Sequence, residues 1–313
     1  MLGGPLMKVV SYLSGIPPKN KNLEKPAILR NFIQGVKKVG DIGVINNSMN
    51  LVPCDVAVIQ GFTHENGKRL PHLQLRSRVL DYQKKTKNRT LIADSNLFLY
   101  ADTSNPHHYL RYSFDGVFNN TGFYFDKDID PIRWKRISHD TGLTLKDYRS
   151  SGEYILICLQ RNGGWSMRGL DVMQWVTSVI NQIKEYTDRP IVVRGHPGDK
   201  KAAQYLKLNI PNVTISDLSK PIQEDLKNAW ATITYNSSPG VASLIEGVPV
   251  FALDPNPNYS QYSEVANHDL KDIENPTLFD RQDWVERISM SHWKFSELQS
   301  GEAWNFMKTY VRQ

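Results

Sequence analysis

The segment Trp230–Leu253, WATITYNSSPGVASLIEGVPVFAL, leaves the chain few ways to fold. Its opening run, Ala231-Thr232-Ile233-Thr234-Tyr235, is apolar and β-branched, the composition of a buried strand. Asn236-Ser237-Ser238-Pro239-Gly240 follows, small residues that turn sharply and cap a helix, with Pro239 tolerated in the first turn. Val241–Glu246 supplies about two helical turns, Gly247 is a natural stop, and Pro249–Leu253 is a second buried strand. The pattern predicts a compact strand–helix–strand unit. Its first turn gathers Asn and Ser side chains, free backbone N–H groups and the positive end of a helix dipole, a setting for a phosphate or sugar hydroxyl. Small residues there also serve plain packing of helix on sheet, so the turn alone does not separate binding from structure.

The chain upstream repeats the theme. Val192-Val193-Arg194-Gly195-His196-Pro197 ends an apolar run with a cation, an imidazole and a rigid turn. The run Tyr154–Leu159 ends in Gln160-Arg161-Asn162-Gly163-Gly164-Trp165-Ser166. Three strands in succession thus end in polar, Gly-containing loops. In an open parallel sheet such ends share one edge, where ligands bind.

Taken together, Arg194-Gly195-His196-Pro197, Tyr235-Asn236-Ser237-Ser238 and Glu246-Gly247-Val248-Pro249-Val250 resemble the donor half of GT-B glycosyltransferases. The resemblance is to the capsule-polysaccharide and 3-deoxy-manno-octulosonate (Kdo) transferase-like branch, over roughly residues 153–255. It implies an α/β GT-B-like fold, two doubly wound Rossmann-like domains facing a cleft. It also implies a nucleotide-sugar donor, a UDP-sugar by preference, held by Arg194, His196, Ser237, Ser238 and Glu246. Arg161 adds positive charge for the diphosphate, and no metal or further cofactor is expected because cations and helix N-termini replace it. Glu246 is the expected ribose ligand, although a Glu beside a Gly stop is also ordinary helix surface. His196 is equally readable as a hydrogen-bonded structural imidazole.

The N-terminal half matches no motif. Strands are expected at Met7–Leu13, around Val44, at Asp55–Gly61 and at Thr90–Asp94, with helices over Ala27–Lys38 and Leu73–Thr86. This alternation predicts a doubly wound domain over 7–150, with the donor domain at 151–290 and Ser150-Ser151-Gly152 as the joint. A last helix over 296–313 is expected to pack back on the first domain, as the resemblance implies. Glycosyl transfer with inversion needs a base for the acceptor hydroxyl. Asp94 and Glu65, each following an apolar strand, are the candidates, and both are also readable as turn or cap residues.

The net charge of +6 favours an anionic partner without locating it. Lys19, Lys21, Lys25, Arg76, Arg78, Lys84 and Lys85, together with aromatic Tyr109, Tyr112 and Phe123, suggest a nucleic-acid acceptor. On that reading the sugar goes to 5-hydroxymethylcytosine in phage DNA, with a surface polysaccharide as the alternative acceptor. A sugar-nucleotide epimerase or a non-catalytic sugar-nucleotide or nucleic-acid binder of the same fold is the reading from another class. No apolar run approaches the roughly 20 residues that span a bilayer. Cys54 and Cys158 sit in or beside apolar runs and read as buried free thiols of a reducing, cytoplasmic setting (the host's, if phage-encoded).

Overall fold

The computed structural model describes residues 4–63, 69–98, 105–118, 122, 125 and 127–313, with Trp165 described by its backbone alone. In chain order the first elements are β1 (Lys8–Tyr12), α1 (Glu24–Lys38), β2 (Ile42–Asn46), β3 (Val56–Gln60), α2 (Pro71–Lys85), β4 (Arg89–Asp94), β5 (Leu110–Phe114) and α3 (Pro131–Thr141). Next come β6 (Tyr154–Cys158), α4 (Val172–Lys184), β7 (Ile191–Arg194), α5 (Ala202–Tyr205), β8 (Val213–Ile215) and α6 (Ile222–Leu226). The chain closes with β9 (Ala229–Thr234), α7 (Pro239–Ile245), β10 (Val250–Ala252), α8 (Gln282–Ser289), β11 (His292–Trp293), α9 (Phe295–Gln299) and α10 (Glu302–Met307).

Two compact units result. Met1–Asn96, Asn105–Asp130 and Ser289–Gln313 form the first, and the second is built on Pro131–Ile288, which includes the Ser150–Gly152 stretch. The first holds a six-stranded sheet in the order β11-β5-β4-β3-β1-β2, in which β1 to β4 run parallel and β5 pairs antiparallel with both β4 and β11. The second holds a five-stranded sheet, β10-β9-β6-β7-β8, parallel throughout. Among the described residues no helix is long and apolar enough to cross a membrane.

Periodicity explains the elements. In α1 the stripe Ile28, Leu29, Phe32, Ile33 and Val36 is buried, and Glu24 in the first turn with Lys37 and Lys38 in the last suits the helix dipole. In α4, Asp171 caps the helix by accepting the N–H of Gln174 at 2.9 Å, and Val172, Val176, Val179, Ile180 and Ile183 face the sheet. The central strand β6 is apolar on both faces, as a parallel sheet covered by helices requires. Cys54 and Cys158 are free and buried, and burial pushes both thiols up to about 12.

The C-terminal segment departs from the single helix expected over 296–313. Gly301 adopts φ +86 and splits it into α9 and α10. The break lets the segment hug α1: Leu298 and Gly301 press on Gly35, and Trp304 stacks edge-on to Phe32 while donating its indole N–H to Asp41 at 2.7 Å. The aromatic stretch after residue 105 is also core. Tyr109 and Tyr112 are 1% and 0% exposed, so neither lines a pocket for a flipped base, and Phe123 lies outside the described residues. On α2, Arg76 is buried and Arg78 donates to the Met49 carbonyl at 3.1 Å, so the helix offers fewer free cations than its sequence suggests.

Gly35 supplies a test of this packing. A Cβ there would stand 1.8 Å from the Leu298 carbonyl oxygen. Gly→Ala inside a helix normally stabilises by about 0.5–1 kcal/mol. Here Gly35→Ala is expected to cost about 2 kcal/mol instead, through displacement of α9. Urea unfolding of the variant measures this, and a stability equal to or above wild type would refute the contact.

Candidate functional site

The carboxyl ends of β6, β7, β9 and β10 share one edge of the five-stranded sheet, and a buried polar chain ties three of them together. Gln160, after β6, donates from Nε2 to Asn236 Oδ1 at 2.8 Å and to Ser166 Oγ at 2.7 Å. Its Oε1 accepts the Asn236 backbone N–H at 3.1 Å. Asn236, after β9, donates from Nδ2 to Asp254 Oδ2 at 2.7 Å. Asp254, after β10, is grasped by both terminal nitrogens of Arg168, and its side chain is 2% exposed. Arg168 adopts φ +48, lies 4.5 Å over the Tyr259 ring and donates to the Tyr235 hydroxyl at 3.0 Å.

The turn leading into α7 is fixed from the other side. Buried Tyr262 donates its hydroxyl to the Ser237 carbonyl at 2.6 Å and pairs with Thr234 Oγ1 at 2.7 Å. Gly240 is required beneath it, because a Cβ would come within 2.2 Å of that ring. Pro239 occupies the first helical position, as expected, and neither serine caps the helix with its side chain. Ser238 is exposed. Ser237 Oγ is buried and has no hydrogen-bond partner among the described residues, which leaves its hydrogen-bonding capacity unused.

The loop after β7 is similarly set. His196 Nδ1 accepts the Gly198 N–H at 2.9 Å, so the neutral ring carries its proton on Nε2. Burial, and then the charge of Arg161, hold the imidazole below its ordinary range, which keeps it neutral at pH 7. Arg161 is exposed, and its side chain makes no hydrogen bond or ion pair among the described residues. Asp199 braces the two loops, accepting the Asn162 N–H at 3.0 Å, the Lys201 N–H at 3.1 Å and the Tyr205 hydroxyl at 2.5 Å.

Two other residues singled out in the sequence are committed to structure. Arg194 is 7% exposed, pairs with Asp225 at 2.9 Å and donates to the Lys220 carbonyl at 3.0 Å. Glu246 is the C-terminal cap residue of α7, roughly 10 Å along the axis from the serine turn, and takes the ammonium of Lys146. In the first unit Asp94 ends β4 and accepts Arg111 Nη2 at 3.1 Å and the Ser95 N–H at 2.8 Å. Glu65 lies outside the described residues. Among the described residues no three His, Cys, Asp or Glu side chains group so as to hold a metal ion. Sequence reasoning missed Arg168, Asp254 and Tyr262. Asp254 was open to detection, since it follows an apolar strand as Gln160 and Asn236 do, whereas nothing in the sequence marks Arg168 or Tyr262.

No family model matches the chain, and no curated protein matches it in sequence. Among solved structures it is similar to the Thermosulfurimonas dismutans KpsC beta Kdo 2,4 transferase, with a TM-score of 0.56 at 13% identity over 91% of each chain. It is similar as well to the KpsC beta Kdo 2,7 transferase of that organism, with a TM-score of 0.55 at 12% identity over 98% of this chain and 100% of that one. A UDP-GlcNAc 2-epimerase of Methanocaldococcus jannaschii superposes more loosely, with a TM-score of 0.37 at 14% identity over 97% and 99% of the two chains. The fold is therefore α/β and GT-B-like, with two mostly parallel sheets.

The Asp254 cluster carries a pH signature. Burial raises this carboxyl, but hydrogen bonds from Arg168, the Asn256 N–H and Asn236 outweigh it and hold the group below the usual range. A depressed carboxyl stabilises the fold fully above its unfolded value of about 4, and loses that contribution as pH falls through the folded value. Asp254→Asn is expected to cost about 2 kcal/mol or more at pH 7. It should also flatten the loss of stability below about pH 4. Denaturant melts of both proteins from pH 2 to 7 check this, and parallel acid limbs would contradict the assignment.

Proposed function

We propose that the chain is a glycosyltransferase that binds a nucleotide-activated sugar at the carboxyl edge of the five-stranded sheet and transfers the sugar to a hydroxyl acceptor. The observation that carries the reading is the unused hydrogen-bonding capacity at that edge. Ser237 Oγ is buried and unpaired, and His196 has its Nδ1 satisfied and its Nε2–H left over. Exposed Arg161 adds an uncommitted cation beside His196. Fixed neutral donors and one cation suit a diphosphate leaving group, whose charge grows as the glycosidic bond breaks. Ser238 completes the turn, while Arg194 and Glu246 are assigned to holding the loops and α7. For a reaction with inversion Asp94 remains the candidate base, accepting the acceptor's proton. Metal independence belongs to the same proposal, with Arg161 in the place a cation would take.

For the acceptor we favour a saccharide hydroxyl over a hydroxymethylated base. Of the residues behind the DNA reading, Arg76, Tyr109 and Tyr112 are buried and Arg78 is bonded to a carbonyl, which leaves Lys19, Lys21, Lys84 and Lys85 exposed, Lys25 half-buried and no described aromatic to receive a base. The similar solved structures are named as Kdo transferases, which is consistent with a saccharide acceptor.

The test is direct. The chain is incubated with a panel of nucleotide-sugars, UDP-sugars included, and with acidic oligosaccharides or DNA containing 5-hydroxymethylcytosine. Released nucleotide and acceptor mass are measured with and without EDTA. Transfer that survives EDTA is expected, with the oligosaccharide as acceptor. Mass gain on the DNA alone would restore the nucleic-acid reading, and failure to bind any nucleotide-sugar by calorimetry would defeat the proposal. Ser237→Ala sharpens it. Removing an unpaired buried hydroxyl should leave stability unchanged within about 1 kcal/mol while weakening donor binding about tenfold. Unchanged donor affinity would mark Ser237 as packing only.

A further inference from the structure

In the six-stranded sheet β1 lies between β2 and β3. The chain runs from β1 through α1 out to β2, then returns across β1 to reach β3. Loops following β1 and β3 therefore leave in opposite directions, and such a reversal opens a crevice outside the carboxyl ends of the strands. A pocket of about 470 Å³ lies there, lined among others by Leu13, Ile16, Pro17, Met49, Pro71 and His72. That volume is within the range of small-molecule sites. Among the described residues none that lines it is acidic.

One turn beyond His72 on the same face of α2 sits Arg76, which is 7% exposed. Its Nε donates to the Gly15 carbonyl at 2.7 Å and its Nη1 to the Phe62 carbonyl at 3.2 Å, so it joins the loops that follow β1 and β3. Gly61 makes room for it, since a Cβ there would stand 2.8 Å from Nη1. Among the described residues no carboxylate reaches ion-pair distance of Arg76. Asp94 acts on it through charge alone and has its own partner in Arg111. Burial pushes the guanidinium down to about 10. A buried cation served only by two neutral carbonyls is costly to maintain. Next to Phe62, Thr63 is 6% exposed and its Oγ1 has no partner among the described residues. His72 is held below its ordinary range by burial and by the charges of Arg76 and Lys25, the latter next to the lining residue Pro26.

We propose that this pocket receives an anionic group of the acceptor, a phosphate or a carboxylate, with Arg76 as its counter-charge and His72 as a hydrogen-bond partner. Assigning the anion to the acceptor rests on the transferase reading, whereas anion binding itself does not.

The experiment uses the full chain without donor. Titration calorimetry and thermal unfolding are run with inorganic phosphate and with glucuronate, against glucose and against chloride at matched ionic strength. Saturable binding of at least one anion is expected, with a rise in Tm beyond that in chloride. Phosphate alone would identify a phosphorylated acceptor, glucuronate alone an acidic sugar. Arg76→Met keeps the side chain's bulk and should bind the anion at least about tenfold more weakly. Freed of an uncompensated charge, it should unfold without anion at a temperature equal to or above that of wild type. Lys25→Gln should weaken the binding about threefold and carries the comparison if Arg76→Met does not fold. The proposal is overturned by absence of anion binding in wild type, by equal binding of glucose, or by wild-type affinity in the folded variants. Any of these results leaves the nucleotide-sugar binding measurement intact, and failure of that measurement leaves this site intact.

Discussion

The carboxylate of Asp254 is the group on which the polar edge of the second unit depends. A carboxylate only accepts hydrogen bonds. Asn236 must therefore turn its Nδ2 toward Asp254, at 2.7 Å, which leaves Oδ1 for Gln160. Gln160 must in turn present Nε2 to that oxygen, and its Oε1 is then aimed at the Asn236 backbone N–H. The buried charge thus agrees with the polarity of two amides and is linked through them to the backbone just after β9. Two backbone groups hold the same orientation: the Asn236 N–H can only donate and so keeps Gln160 Oε1, and the Ser166 carbonyl can only accept and takes Asn236 Nδ2 at 3.2 Å. Arg168 makes the charge affordable in a nearly dry setting by meeting both oxygens in the fork geometry that guanidinium and carboxylate share. The turn at Ser237 is held between this chain and the Tyr262 hydroxyl, so its small side chains are placed by groups several strands apart in sequence.

The first unit handles its sheet edge differently. There the loops after β1 and β3 are joined by a cation, and the atoms that receive it are peptide carbonyls. Carbonyl dipoles orient a guanidinium but do not neutralise it, and the nearest opposing charge, on Asp94, is bonded to Arg111. The second unit closes its polar network on itself, while the first leaves net positive charge beside a pocket with no acidic lining residue among those described. A closed network specifies geometry. An open one specifies what may enter.

Much of this was legible in the sequence because it follows from alternation. The run from Ala231 through Gly247 to Leu253 fixes a strand, a short helix and a second strand, and β9, α7 and β10 occupy those places. The four parallel strands of the first unit were legible for the same reason. What was not legible depends on tertiary partners. The break at Gly301 in the helix expected over 296–313 follows from α1, which presents Gly35 where two backbones meet with no room for a Cβ. Arg194 and Glu246 carry the charge that a donor site calls for, yet Asp225 is thirty-one residues from the one and Lys146 a hundred from the other. Arg168 holds a left-handed backbone that only its bonds to Asp254 and Tyr235 make worthwhile.

These cases share a physical reason. At the carboxyl edge of a parallel sheet a charged side chain leaving a strand is half enclosed from the start, so burial obliges it to find a counter-charge or a set of dipoles. Arg194 found Asp225, and its motif-like context says little about whether it is free for a ligand. Small neutral groups carry no such obligation: a serine hydroxyl or an imidazole N–H can stay unused at modest cost until a ligand arrives. At such an edge, then, the residues to weigh most heavily for binding are the uncommitted ones, Ser237, His196 and Arg161 in the second unit. By the same argument Arg76, a buried charge that meets carbonyl dipoles but no counter-charge among the described residues, says more about a ligand than the exposed lysines around it.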